Sequence, residues 1–121
     1  MKDKIIFWIS TAFISLWMLM SAVGYFLIPD MKTNFQHLGF PDYFRIELGI
    51  AKILGALAIL LPLVPSKLKE FSYFGFILTF FSAIVAHLSV GDPFYVSLFP
   101  LFALIVILIS FTYYHKLNNK N

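Results

Sequence analysis

Polar and apolar positions along the chain separate into four long apolar runs joined by short polar breaks. The first is uncharged from Ile5 to Pro29, between Lys4 and Asp30, with Trp8 and Tyr25 near its ends, where amphipathic rings favour the headgroup level. It offers no small-residue cleavage site, so it is expected to be retained. The break from Asp30 to Asp42 holds Asn34, Gln36, His37, Gly39 and Pro41 and reads as a connecting loop, with Phe35, Leu38 and Phe40 resting on a membrane surface. A second run contains Arg45, Glu47 and Lys52 and stops at Pro62 and Pro65, which remove backbone donors. The third closes at Gly91-Asp92-Pro93, and the fourth carries Pro100 near its start and gives way to a polar tail from His115. Each run approaches the roughly 20 residues with which a helix crosses about 30 Å of hydrocarbon. The pattern predicts an all-α fold, a four-helix transmembrane bundle of one domain, with helices over 5–29, 43–63, 71–90 and 94–114.

Composition narrows the classes further. With 60% hydrophobic residues, 12% charged and 15 phenylalanines, a soluble or disordered chain is excluded. The absence of cysteine removes disulfides, thiol chemistry and iron–sulfur ligation, and one intramembrane histidine does not supply a pair of haem ligands, so no metal site is predicted. Lys2, Lys4, Lys67, Lys69, Lys116 and Lys120 fall on the face shared by both termini, against Lys32 and Arg45 on the other. That bias places both termini in the cytoplasm of a multi-pass cell-membrane protein. The net charge of +3 then reports topology and an attraction to membrane lipids, and it gives no nucleic-acid partner.

Charges inside hydrocarbon are costly, and they mark the candidate chemistry. Lys52 lies nine residues past Tyr43, roughly 14 Å below the outer boundary. It shares a helix face with Arg45, Leu48, Gly49, Gly55, Ala56 and Ile59, and Gly49 and Gly55 permit close helix contact, so Lys52 is expected to point inward. His87 lies only about 6 Å inside the same boundary. Ser72, Gly75, Thr79, Ser82, Ala86 and Ser89, spaced three and four apart, predict a tightly packed, central third run. By depth, Lys52, His87, Arg45, Glu47 and Asp92 form the candidate ligand-binding set, a polar pocket opening away from the cytoplasm with Lys52 and His87 in one cavity. Arg45 and Glu47 also read as interface anchors. Glu70 reads as a structural carboxylate at a helix start, and His37 and His115 as solvent-exposed bystanders.

Several segments taken together resemble the DoxX-like family of small membrane proteins: Leu38-Gly39-Phe40-Pro41, Leu48-Gly49-Ile50-Ala51-Lys52-Ile53-Leu54-Gly55, Leu68-Lys69-Glu70-Phe71-Ser72-Tyr73-Phe74-Gly75-Phe76, Ala86-His87-Leu88 and Gly91-Asp92. Phe71 departs from the tryptophan that often follows the glutamate. The resemblance implies a four-helix integral membrane protein carrying ionisable positions at Lys52, Glu70, His87 and Asp92. Its namesake is associated with quinone-linked oxidation of sulfur compounds, and other members with redox-stress complexes or receptor assembly.

Two functions follow as expectations. In the first, the chain is an accessory or redox-associated subunit binding a quinone or similar lipophilic carbonyl compound, with Lys52 hydrogen-bonding the carbonyl, His87 and Asp92 exchanging protons, and electrons supplied by a redox partner. In the second, it is a structural or chaperone-like protein packing against another membrane protein or a second copy in a homo-oligomer. A small transporter is less favoured, because the first run lacks an acidic residue to couple to protons. No catalytic residue is assigned.

Overall fold

The structure, a computed structural model, describes residues 1–118; Lys120 of the lysine-rich end lies outside the described residues. Five α-helices and one 3-10 turn make up the chain: α1 Lys2–Leu27, α2 Asp30–His37, α3 Asp42–Leu60, α4 Ser66–Ser89, the turn Phe94–Ser97 and α5 Leu98–Asn118. No strand occurs among the described residues.

Prolines and glycines set most of the boundaries. Pro29 follows α1 and precedes α2, Pro62 and Pro65 bracket the α3–α4 connection, and Pro100 falls in the first turn of α5, where a missing N–H costs little. Gly39 and Gly91 adopt φ of 89° and 78° just after α2 and α4, a left-handed conformation that glycine takes without strain. The segment read as a loop therefore contains a helix, α2. Phe35 anchors it, with its ring 5.0 Å from Tyr25 and 6.1 Å from Phe44. A search for long apolar runs misses so short a helix with one buried residue. Helix α4 also begins five residues before the apolar run, because Ser66 to Glu70, polar except for Leu68, are already helical.

Helices α1, α3, α4 and α5 form a ring in which α1 packs on α3 and α5, and α4 on the same two. Ile14, Met18, Ala56, Ile59, Tyr73, Phe76, Phe80, Ala103 and Ile107 fill the centre. The outside is apolar too: Ile9, Leu54, Phe71, Phe74, Leu78, Phe81, Phe99 and Phe102 are all exposed. Thr11, Ser15, Lys52 and Ser110, by contrast, are buried. A surface more apolar than parts of its interior suits lipid. Three stretches, Lys2–Leu27, Ser66–Ser89 and Phe94–Asn118, are long and apolar enough to cross a membrane; α3, which carries Asp42, Arg45, Glu47 and Lys52, is not among them.

Helix α4 is not central. Its buried side chains are Tyr73, Phe76 and Phe80, whereas Gly75, Ser82 and Ser89 on the small-residue stripe are exposed and Ser72, Thr79 and Ala86 only half-buried. The aromatic face won the core because three rings bury far more apolar area than a row of small side chains.

Candidate functional site

Lys52 is 7% exposed and points inward from α3. Its ammonium donates to Ser21 Oγ at 3.2 Å and to the Tyr25 hydroxyl, both from α1. Ser21 and Tyr25 are four residues apart, so one turn of α1 presents both oxygens to the same neighbour. Arg45, a little under two turns nearer the start of α3, donates through Nε to Asp42 at 3.0 Å and through its guanidinium to the Tyr25 carbonyl. That carbonyl would normally receive the amide of residue 29, which is a proline and has none. Arg45 therefore satisfies an acceptor that Pro29 orphans. Glu47 is exposed and makes no hydrogen bond or ion pair among the described residues.

His87 belongs to a different cluster. The Asp92 carboxylate accepts from His87 Nδ1 and from His37 Nε2, both at 2.6 Å. The bonds from His87, and then from His37, hold the Asp92 carboxyl below its usual value of 3.8. His37, read from the sequence as a bystander, thus clips the end of α2 to the corner that follows α4. Gly91 in its left-handed conformation makes that corner, and the Asp92 amide bonds the His87 carbonyl at 3.0 Å. His115 likewise has a partner, Glu70, at 3.7 Å.

A groove of about 420 Å³ lies between α3 and α4. Lys52, Gly55, Ala58, Ser72, Gly75 and Thr79 are among its walls; His87, Arg45, Glu47 and Asp92 are not. It extends from the level of Leu48 and Lys52 toward the α3–α4 connection, the end opposite the histidine cluster. The expected single cavity is thus split: Lys52 and His87 have separate partners, and the groove lies toward the lysine-rich end. The Ser72 and Thr79 hydroxyls turn back onto the Leu68 and Gly75 carbonyls of their own helix. A Cβ on Gly55 would come within 2.9 Å of the Phe76 ring and one on Gly49 within 2.8 Å of the Phe26 ring. Gly75 differs: a Cβ there would meet nothing within 4 Å.

Two further polar groupings escape a reading by depth alone. In the centre, Ser110 Oγ lies 2.6 Å from Thr11 Oγ1 and 2.7 Å from the Tyr73 hydroxyl, linking α5 to α1 and α4. At the lysine-rich end, Lys69 of α4 is buried and donates to the carbonyls of Ala58, Ile59 and Leu61 at 2.8, 3.2 and 2.7 Å. Ala58 lies four residues before Pro62, so its carbonyl too lacks a helical donor. A proline four residues beyond a helical carbonyl was the available signal for both acceptors.

These features define a small all-helical membrane protein whose buried cations are each held by internal oxygens. The chain belongs to the DoxX-like family, whose family model matches residues 9–110. Comparison with curated proteins and with solved structures finds no match.

Proposed function

We propose that this chain is a multi-pass protein of the cell membrane, a four-helix bundle with α3 as the fourth crossing and both termini cytoplasmic. Support comes from the length of α3, 19 residues or about 28 Å, and from Lys4, Lys69 and Asn118 meeting at one end while His37, His87 and Asp92 meet at the other. Cysteines placed at Asn34 and Lys67 label from opposite faces on this topology; labelling from one face rejects it.

Within that frame the chain acts as a packing subunit, and a partner transmembrane helix seats in the α3–α4 groove. The observation that carries this reading is the groove wall itself. It is mostly apolar, with small Ala51, Gly55, Ala58 and Gly75 set among larger Leu and Phe side chains, its hydroxyls are spent on their own helix, and the exposed Gly75, Ser82 and Ser89 continue the surface along α4 at spacings that suit close helix contact. A photoreactive side chain at Ser82 is expected to capture a protein in native membranes. Gly75→Leu is expected to abolish that adduct while leaving the melting midpoint unchanged, since nothing lies where the added Cβ would sit. Adducts to lipid alone would defeat the reading.

A quinone-like guest is the second reading, favoured by the groove volume and by Lys52 on its wall. A quinone carbonyl only accepts hydrogen bonds, and among the described groove residues the donor left over is the third N–H of Lys52. Saturable binding of a short-chain quinone that disappears in Lys52→Met would place this reading first.

A further inference from the structure

A second cavity, of about 350 Å³, opens at the lysine-rich end between the start of α1, the end of α5 and the α3–α4 connection. Lys4, Trp8, Pro62, Lys69, Tyr114 and Asn118 line it. We propose that this cavity binds the phosphate headgroup of an anionic phospholipid, with the acyl chains lying along the adjoining face of α1.

Charge is the first argument. Lys69 brings a buried positive charge to the cavity wall, and its three hydrogen-bond partners are neutral carbonyls. Glu70, the neighbouring acid, pairs with His115 and does not line the cavity. Lys4 adds a second cation from an exposed position, one that can turn toward an incoming anion.

Unspent donors are the second argument. The Lys4 ammonium, the Trp8 indole N–H, the Tyr114 hydroxyl and the Asn118 amide make no hydrogen bond among the described residues, and all four residues line one concavity. Phosphate oxygens accept several charge-assisted bonds at once, and a carbonyl or a single carboxylate would use fewer of these groups. Lys69 itself has committed three donors to α3, so it contributes field while the others contribute bonds.

Surroundings separate a lipid from a soluble phosphate. Ile5 and Ile9, 58% and 67% exposed, directly follow the lining residues Lys4 and Trp8 on α1, and Phe7 and Leu117 sit in the lining. A headgroup bound at Lys4 can lay its chains over this apolar strip, whereas a free anion gains nothing from it. Trp8 and Tyr114 bring amphipathic rings to the same level, where such rings favour the membrane interface.

The test uses the full chain in mixed micelles holding equal amounts of phosphatidylglycerol and phosphatidylcholine, with retained lipid counted by native mass spectrometry. The native protein is expected to retain phosphatidylglycerol selectively. Lys4→Gln should reduce that retention about fivefold, the effect of one lysine near an anionic lipid surface. Lys67→Gln, which removes the same charge at an exposed position outside the cavity, should leave it unchanged. Both variants are checked for an unaltered melting midpoint; Lys69 is left intact because it caps α3. Equal losses in the two variants would reduce the effect to diffuse surface charge and overturn the site. Displacement by soluble glycerol phosphate with no preference between the two lipids would assign the cavity to a free phosphate and overturn the lipid.

Discussion

Lys69→Met is expected to destabilise the protein by about 3 kcal/mol, among the largest effects of any single substitution that leaves packing volume nearly unchanged. The ammonium closes the C-terminal end of α3, where the helix dipole is negative and the last carbonyls have no successors. Pro62 makes the need acute, because the Ala58 carbonyl loses the donor that an ordinary residue would supply. Each bond from a charged donor contributes about 1.5–3 kcal/mol, and desolvating the lysine offsets part of the sum. Methionine keeps the stem's bulk but leaves the Ala58 and Ile59 carbonyls without their charged donor. Thermal unfolding in mild detergent measures the loss, and Lys69→Arg, with donors to spare, should recover part of it. A methionine variant that melts with the native protein would show that water satisfies those carbonyls unaided.

The same principle marks how far the sequence could be read. Runs of apolar residues locate α1, α3, α4 and α5, because each long helix carries apolar side chains on its exposed as well as its buried positions. Lys52 was legible as an inward-pointing residue, since an ammonium in an apolar run demands oxygen partners and its helix face is lined by glycine and alanine. Its actual partners, Ser21 and Tyr25, were not, because depth ranks positions within a helix and says nothing of which helices become neighbours. Helix α2 was lost for another reason: one buried phenylalanine in eight residues leaves little periodicity to detect. His37 and Asp92 are 55 residues apart in sequence, and only the docking of α2 brings them to one bond. The stripe from Ser72 to Ser89 does not mark the core, since much of it faces outward and Tyr73, Phe76 and Phe80 are buried instead.

Gly55→Leu is expected to cost about 3 kcal/mol, and comparison with the other two glycines shows why this one is sensitive. An added Cβ at Gly55 falls 2.9 Å from Phe76 Cε2 and 3.0 Å from Cζ, closer than carbon atoms approach without displacement. Phe76 is 4% exposed, and its ring stacks on Phe80 at 5.8 Å and 15°, so moving it disturbs a packed pair in the core. Gly49 meets the Phe26 ring just as closely, but Phe26 is 41% exposed and can swing toward lipid, so Gly49→Ala should cost well under half as much. At Gly75 the open space predicts no measurable change. A double-mutant cycle tests the assignment: Phe76→Ala alone opens a cavity and destabilises, yet combined with Gly55→Leu it should recover much of the loss, because the new side chain fills the vacated volume. Strict additivity of the two losses would mean that Gly55 and Phe76 do not share a contact, and that α3 and α4 approach each other differently at the wall of the groove.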